Sequence, residues 1–256
     1  MISKAAGVAC SILLIASAAA RAGGVEEETT EATYQVGANP TLTVHNTDGR
    51  VFVYGSEAGE IKVKAYKRAF TKERVQQIKA NVSLEGDAMT IDTFYPPAPE
   101  GLLADRSGTV EYTILVPENC ITKVELSQGE IQVHGLRGPS IDVQLTRGLI
   151  SLKSCYAPMQ VSLGAGGVDV SYDWWEDLVF SLLANVREGD ISLQFPPSAA
   201  LRIDAATQSG HVRNYLVPDE QRGEDVQNMQ IALGGGSDVL FTLRTGRGNI
   251  RLGKPY

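Results

Sequence analysis

The chain has 256 residues, with 23 Lys and Arg against 30 Asp and Glu, for a net charge of −7. This excess of anions argues against binding to nucleic acid or anionic lipid, because affinity for phosphates rests on clustered cations. With only three histidines and three cysteines, the material for metal chemistry is also sparse.

Residues 1–22 combine a cationic start at Lys4, an apolar run from Ala5 to Ala20 and the small-residue triplet Ala20–Arg21–Ala22. This is the order of a cleavable export signal, too short for a membrane span, with cleavage expected after Ala22. Cys10 fits a lipoprotein anchor poorly, because it precedes most of the apolar run and Gly7 stands where a lipobox has Leu. Losing Lys4 and Arg21 with the signal moves the net charge from −7 to −9. No later segment holds the roughly 18 apolar residues that a bilayer span needs. The mature protein is therefore expected to be exported, to the periplasm or to the cell surface and beyond.

Residues 23–33, opening "GGVEEETTE", are acidic and polar and are expected to form a disordered tail. Residues 34–104 are expected to form an N-terminal β segment. Within it, Tyr34 to Tyr66 is strand-like, and Thr71 to Ala80 sets Val75 and Ile78 on one face behind a Thr71 N-cap. That is the only helix expected in the mature chain. "VSLEGDAMTID" then resembles a repeat shifted in phase, and "FYPPAPEGLL" from Phe94 to Leu103 is a proline-rich break.

Residues 105–256 are expected to form the β-solenoid repeats, whose unit also occurs earlier, at Gly49. Two residues after Gly49, Gly129, Gly148, Gly166, Gly189, Gly210 and Gly248 stand Val51, Ile131, Ile150, Val168, Ile191, Val212 and Ile250. Four residues after them stand Val53, Val133, Leu152, Val170, Leu193, Asn214 and Leu252, apolar except for the Asn. Positions −5 and −7 are likewise apolar, as in Val124, Val143 and Val161 or Ile141, Met159 and Leu182. Strand side chains alternate faces, so these positions face one side of two short strands bent at the glycine. From Gly129 onward the glycines are spaced by 19, 18, 23, 21 and 38 residues, the last interval being two steps of 19 around one degenerate coil. A period near 20 predicts an all-β fold, a β-solenoid of stacked two-strand coils that bury a shared column. An antiparallel sandwich also has short alternating strands, but it does not require one residue class at one offset from seven glycines.

Cys120 and Cys155 have similar phase two coils apart. At about 4.8 Å per coil the gap exceeds the roughly 7 Å Cα limit for a disulfide, so they are expected to stay unpaired.

"YTILVPENCITKVELSQGEIQVHGLRGPSIDVQLTRGLISL", with its strand ending at Val116–Pro117 and its repeated Gly-x-Ile, resembles a family of bacterial envelope β-strand-repeat proteins called "putative adhesins". The opening "LTVHNTDGRVFVYG" and the ending "GGGSDVLFTLRTGRGNIRL" are similar to that family as well, so the likeness covers roughly residues 36–256, with 67–108 the poorest part. The resemblance implies an exported bacterial β-solenoid of unknown function and supplies no catalytic residues.

The sequence contains no nucleophile elbow, phosphate loop, His-Glu-x-x-His or Cys-x-x-Cys. His45, His134 and His211 stand at different offsets from their glycines, which scatters them and leaves no metal site. "DVSYDWWEDLVF" is the unusual stretch, with Asp173, Trp174, Trp175 and Glu176 in the 23-residue interval. Aromatics beside carboxylates suit a sugar face or a partner's cation. The alternative is that one Trp caps the core edge and the acids are merely solvated. The charged loop from Val217 to Asn228 is expected to carry the chain around the degenerate coil. The expected function is a non-enzymatic scaffold or adhesin-like binding module of the envelope, without cofactor or metal, whose partner is an envelope protein or a glycan. The alternative is a polysaccharide-active β-solenoid enzyme.

Overall fold

A computed structural model describes residues 19–22, 24–97, 107–217, 226–234 and 238–255. Its framework is a stack of parallel strands bent at glycine. β3 (Thr41–Ser56), β8 (Ile121–His134), β9 (Ile141–Lys153), β10 (Met159–Ser171) and β11 (Ser181–Gln194) lie side by side in that order. Pairing is in register through the glycines, so Gly49, Gly129, Gly148, Gly166 and Gly189 form one row. The two short strands expected on either side of each glycine are here one strand with a kink. Among the described residues the fold is all-β with a single short helix.

The apolar rows stack as the spacing predicts. Ile131, Ile150, Val168 and Ile191 are consecutive partners and each is at most 1% exposed. Val124, Val143, Val161 and Ala184 form the −5 row at 0% exposure. A further buried row continues the parity of positions −5 and −7: position −3, filled by Leu126, Leu145, Leu163 and Val186. Position −3 and position +2 both face inward across five residues because position −2 drops out of the pairing at the kink. The strand alternation is therefore reset there, as in a bulge.

The C-terminal repeats depart from sequential order. β12 (Leu201–Ser209) and β13 (Val212–Asn214) carry Gly210 between them, while β15 (Leu240–Arg247) and β16 (Ile250–Gly253) flank Gly248. β15 and β16 pair with β11 on one side and with β12 and β13 on the other, so the last repeat is inserted before the one that precedes it in sequence. The degenerate coil expected within the 38-residue interval is replaced by β14 (Asn228–Leu233), which pairs antiparallel with β12. Of the Val217–Asn228 loop, residues 218–225 lie outside the described residues.

At the other end, β3 pairs along its first half with β6 (Ala88–Phe94) and along its second half with β7 (Thr109–Pro117). β6 forms an antiparallel hairpin with β5 (Lys79–Glu85), which is how "VSLEGDAMTID" departs from a repeat. Beyond β7 the sheet continues antiparallel through β4 (Glu60–Ala69), β2 (Val25–Gln35) and β1 (Ala19–Ala22). The single helix, α1 (Lys72–Gln77), is shorter than expected. Thr71 caps it by accepting from the Arg74 amide at 3.3 Å, and Val75 and Ile78 are buried. The proline-rich break is described only to Pro97.

The acidic tail expected over residues 23–33 is instead the strand β2. Its composition alone favours disorder, but the partner strand is basic. Glu27, Glu28 and Glu31 stand opposite Arg68, Lys67 and Lys64, and the Lys67 Nζ is 2.5 Å from a Glu28 carboxylate oxygen. Cross-strand opposite charges favour pairing. The export signal expected over residues 1–22 lies outside the described residues except for β1, which pairs with the start of β2.

Cys120 and Cys155 are free and buried. Burial pushes each thiol up to about 11.

Ile150→Asp places an unpaired carboxylate in the buried +2 row. Losing a buried aliphatic side chain and burying a charge together should cost about 5 kcal/mol or more, a fall of roughly 10–20 °C in Tm. A circular-dichroism melt within a degree or two of the parent would contradict the shared column.

Candidate functional site

The segment between β10 and β11 is anchored from below by aromatic side chains. Tyr172 and Phe180 at its two ends are buried, and the Tyr172 hydroxyl donates to the Cys155 carbonyl at 3.0 Å. Trp175 turns inward and is half-buried, its ring 5.4 Å from both Tyr172 and Phe180. Trp174 points the other way and is 47% exposed. Adjacent residues of an extended segment face opposite sides, so the pair divides into one core residue and one presented residue.

Trp174 is held by two hydrogen bonds. Its carbonyl accepts from the Tyr156 hydroxyl at 2.6 Å, and its indole Nε1 donates to Glu176 Oε1 at 2.9 Å. Glu176 in turn accepts from Arg137 Nε at 3.0 Å and Nη2 at 2.5 Å, a two-point contact that fixes both planes. Arg137 also pairs with Glu118 at 2.8 Å and lies 5.6 Å over the Tyr156 ring. Arg137, two coils earlier, carried no signal in the sequence. Asp173 is drawn aside to Lys153 at 3.0 Å. The structure thus joins Trp174 and Glu176 into one unit, assigns Trp175 to the core, and gives Asp173 a separate partner.

The Arg137 hydrogen bond holds the Glu176 carboxyl below its ordinary value, outweighing partial burial, with Trp174 adding to the effect. Burial raises the Tyr156 hydroxyl, so it stays a neutral donor. A general acid needs a raised carboxyl pKa, and Glu176 has the reverse. Leu178 and Val179, 44% and 76% exposed, extend the apolar surface beyond Trp174.

Elsewhere, His45 Nδ1 lies 2.7 Å from Asp92 and His134 packs on Tyr54, so the histidines are dispersed. Among the described residues no group of three His, Cys, Asp or Glu side chains is gathered as metal ligands. On the outer surface, a furrow of about 1110 Å³ crosses the strands where they kink. The furrow was not legible in the sequence, because it depends on the reset of alternation at position −2.

A single sheet of glycine-kinked parallel strands, with its polar constellations on connecting segments, defines a class of strand-repeat proteins. This chain belongs to one such family, Toastrack DUF4097, whose pattern matches residues 37–252. Among solved structures it is similar to a "putative cell adhesion protein" from Clostridium sporogenes, at 16% identity and TM-score 0.51, over 89% of this chain and 100% of the other. It is also similar to a "putative adhesin" from Bacteroides fragilis, at 16% identity and TM-score 0.41, over 88% of this chain and 96% of the other. No curated protein is significantly similar in sequence. Among the described residues no helix is long and apolar enough to cross a membrane.

The Glu176–Arg137 contact has a defined acid response. Because the folded carboxyl sits below its ordinary 4.5, the contact is intact above that pH and is lost as pH falls through the lower folded value. Both tryptophans of the chain lie in this segment, so emission reports on it alone. The emission transition of the native protein should have its midpoint below 4.5, and Arg137→Gln should move it upward. A midpoint that Arg137→Gln leaves unchanged would separate Trp174 from this pair.

Proposed function

We propose that this protein is exported and acts as a non-enzymatic binding module of the bacterial envelope, a β-solenoid of roughly 20-residue coils that presents Trp174 to a partner. The observation that carries the reading is Trp174 itself: a large aromatic left half in water, yet fixed through Glu176 and Arg137. A rigid exposed aromatic adds little stability and loses little entropy on binding, which is why such residues dominate many interfaces. The adhesion label of the Clostridium relative agrees with a binding role. The cationic, apolar and small-residue order of residues 1–22 supports export with cleavage after Ala22. Such cleavage removes β1 and leaves β2 held by its pairing with β4.

A Glu176 carboxyl held low by Arg137 does not suit the general acid of glycoside cleavage, which supports the binding reading. Cross-linking in the native envelope, with wild type and Trp174→Ala side by side, tests the site. Trp174→Ala should lower the yield of the cross-linked partner about tenfold or more, while Tm moves by no more than about 3 °C. Trp175→Ala should instead lower Tm, because that ring is packed against the core. Unchanged partner yield with Trp174→Ala would remove the segment from the binding surface.

A further inference from the structure

The furrow crosses the rungs instead of following a strand, and its floor is the −3 row of Leu126, Leu145, Leu163 and Val186. One wall is the outward row at −4, which includes Gln144, Ser162 and Asn185, and the other is the row at −2, which includes Thr146 and Gln208. Each of its charged groups faces an opposite charge of the protein: Glu125 pairs with Lys123 at 2.8 Å, His45 Nδ1 lies 2.7 Å from Asp92, Arg187 lies 3.7 Å from Glu188, and Arg244 donates to the Asp204 carbonyl and carboxylate, both at 2.7 Å. Of its neutral groups, Asn46, Gln144, Thr207 and Thr245 are engaged within the protein, whereas the side chains of Thr146, Ser162, Asn185 and Gln208 make no hydrogen bond within the protein among the described residues.

We infer that this furrow is a second binding site, for an extended, uncharged glycan chain lying across the stack. Two features point to that ligand. First, unengaged amides and hydroxyls on successive rungs complement sugar hydroxyls, while the charged lining groups are already matched by opposite charges of the protein. Second, the rungs repeat at about 4.8 Å, close to the advance of one sugar ring along an extended chain, whereas an extended peptide advances about 3.3 Å per residue and falls out of step. Seven parallel strands, from β3 to β12, contribute to the furrow, with Asn228 of β14 at its end. This corresponds to roughly 29 Å of chain at that spacing, a match for a hexasaccharide.

This site stands apart from Trp174, and the test separates the two. Cellohexaose, maltohexaose and xylohexaose, with their trisaccharides, are titrated calorimetrically into the full protein at low and high salt, beside hexagalacturonate and an extended neutral peptide. At least one neutral hexasaccharide should bind with salt-independent affinity and outbind its trisaccharide. Ser162→Ala/Asn185→Ala, two surface changes, should weaken it about tenfold or more. Trp174→Ala should leave it unchanged. The side-chain amide resonances of Gln144 and Asn185 should shift on addition. Failure of all three hexasaccharides, binding of only the anionic oligomer or the peptide, or affinity unchanged in the double variant would each overturn the inference.

Discussion

Each rung of the stack meets the next through a glycine backbone. A Cβ built on Gly129 would lie 1.8 Å from the Gly49 carbonyl oxygen, one on Gly148 1.8 Å from that of Gly129, and one on Gly189 1.7 Å from that of Gly166. The same three glycines have φ between +133° and +145°, a region that side chains disfavour. Both the kink and the close approach therefore demand hydrogen at one position per coil. A slip of one residue would drive a Cβ into a carbonyl and also turn the apolar set outward. Register is thus fixed twice, by sterics and by burial. The buried rows at +2, −3 and −5 follow from it, as do the straight outer rows that wall the furrow.

The ladder also explains how the chain can leave sequential order at its C-terminal end. Because every kinked strand presents the same row of groups, β15 and β16 fit between β11 and the β12–β13 pair as well as any sequential neighbour. Here the −3 position becomes polar: Thr245 Oγ1 donates to the Gly189 carbonyl and Thr207 Oγ1 to the Gly248 carbonyl, both at 2.9 Å. At the opposite end Asn46 Nδ2 donates to the Val110 carbonyl at 3.0 Å. The end rungs thus replace leucine packing with hydrogen bonds to the backbone near the ladder. Antiparallel strands cover both ends of the stack, β14 on one side and the charged β4–β2 pair on the other, as open edges require.

Much of this architecture is written in glycine spacing and aliphatic parity, since both are local and periodic. Ile150 and Val168 could be placed in one column from offsets alone. What stayed hidden depends on partners distant in sequence. The Glu27 and Glu28 strand is ordered by Lys67 and Arg68 some forty residues on, which composition cannot reveal. The order of the last two repeats is a choice between equivalent neighbours, and nothing in Gly210 or Gly248 states it. At the Trp segment, aromatic and acidic composition marked the region, but the division between Trp174 and Trp175 follows from Tyr172 and Phe180. The role of Glu176 follows from Arg137, thirty-nine residues earlier.

Thermal unfolding of Gly148→Ala beside Gly59→Ala tests the ladder most directly. Gly59 has no neighbour within 4 Å of an added Cβ and no positive φ, whereas Gly148 has a carbonyl oxygen at 1.8 Å and a φ of +140°. Gly148→Ala should lose about 3 kcal/mol or more, a fall of roughly 6–12 °C, with Gly59→Ala close to the parent. Two variants that melt together at the parent temperature would contradict the claim that glycine contact sets the register of the stack.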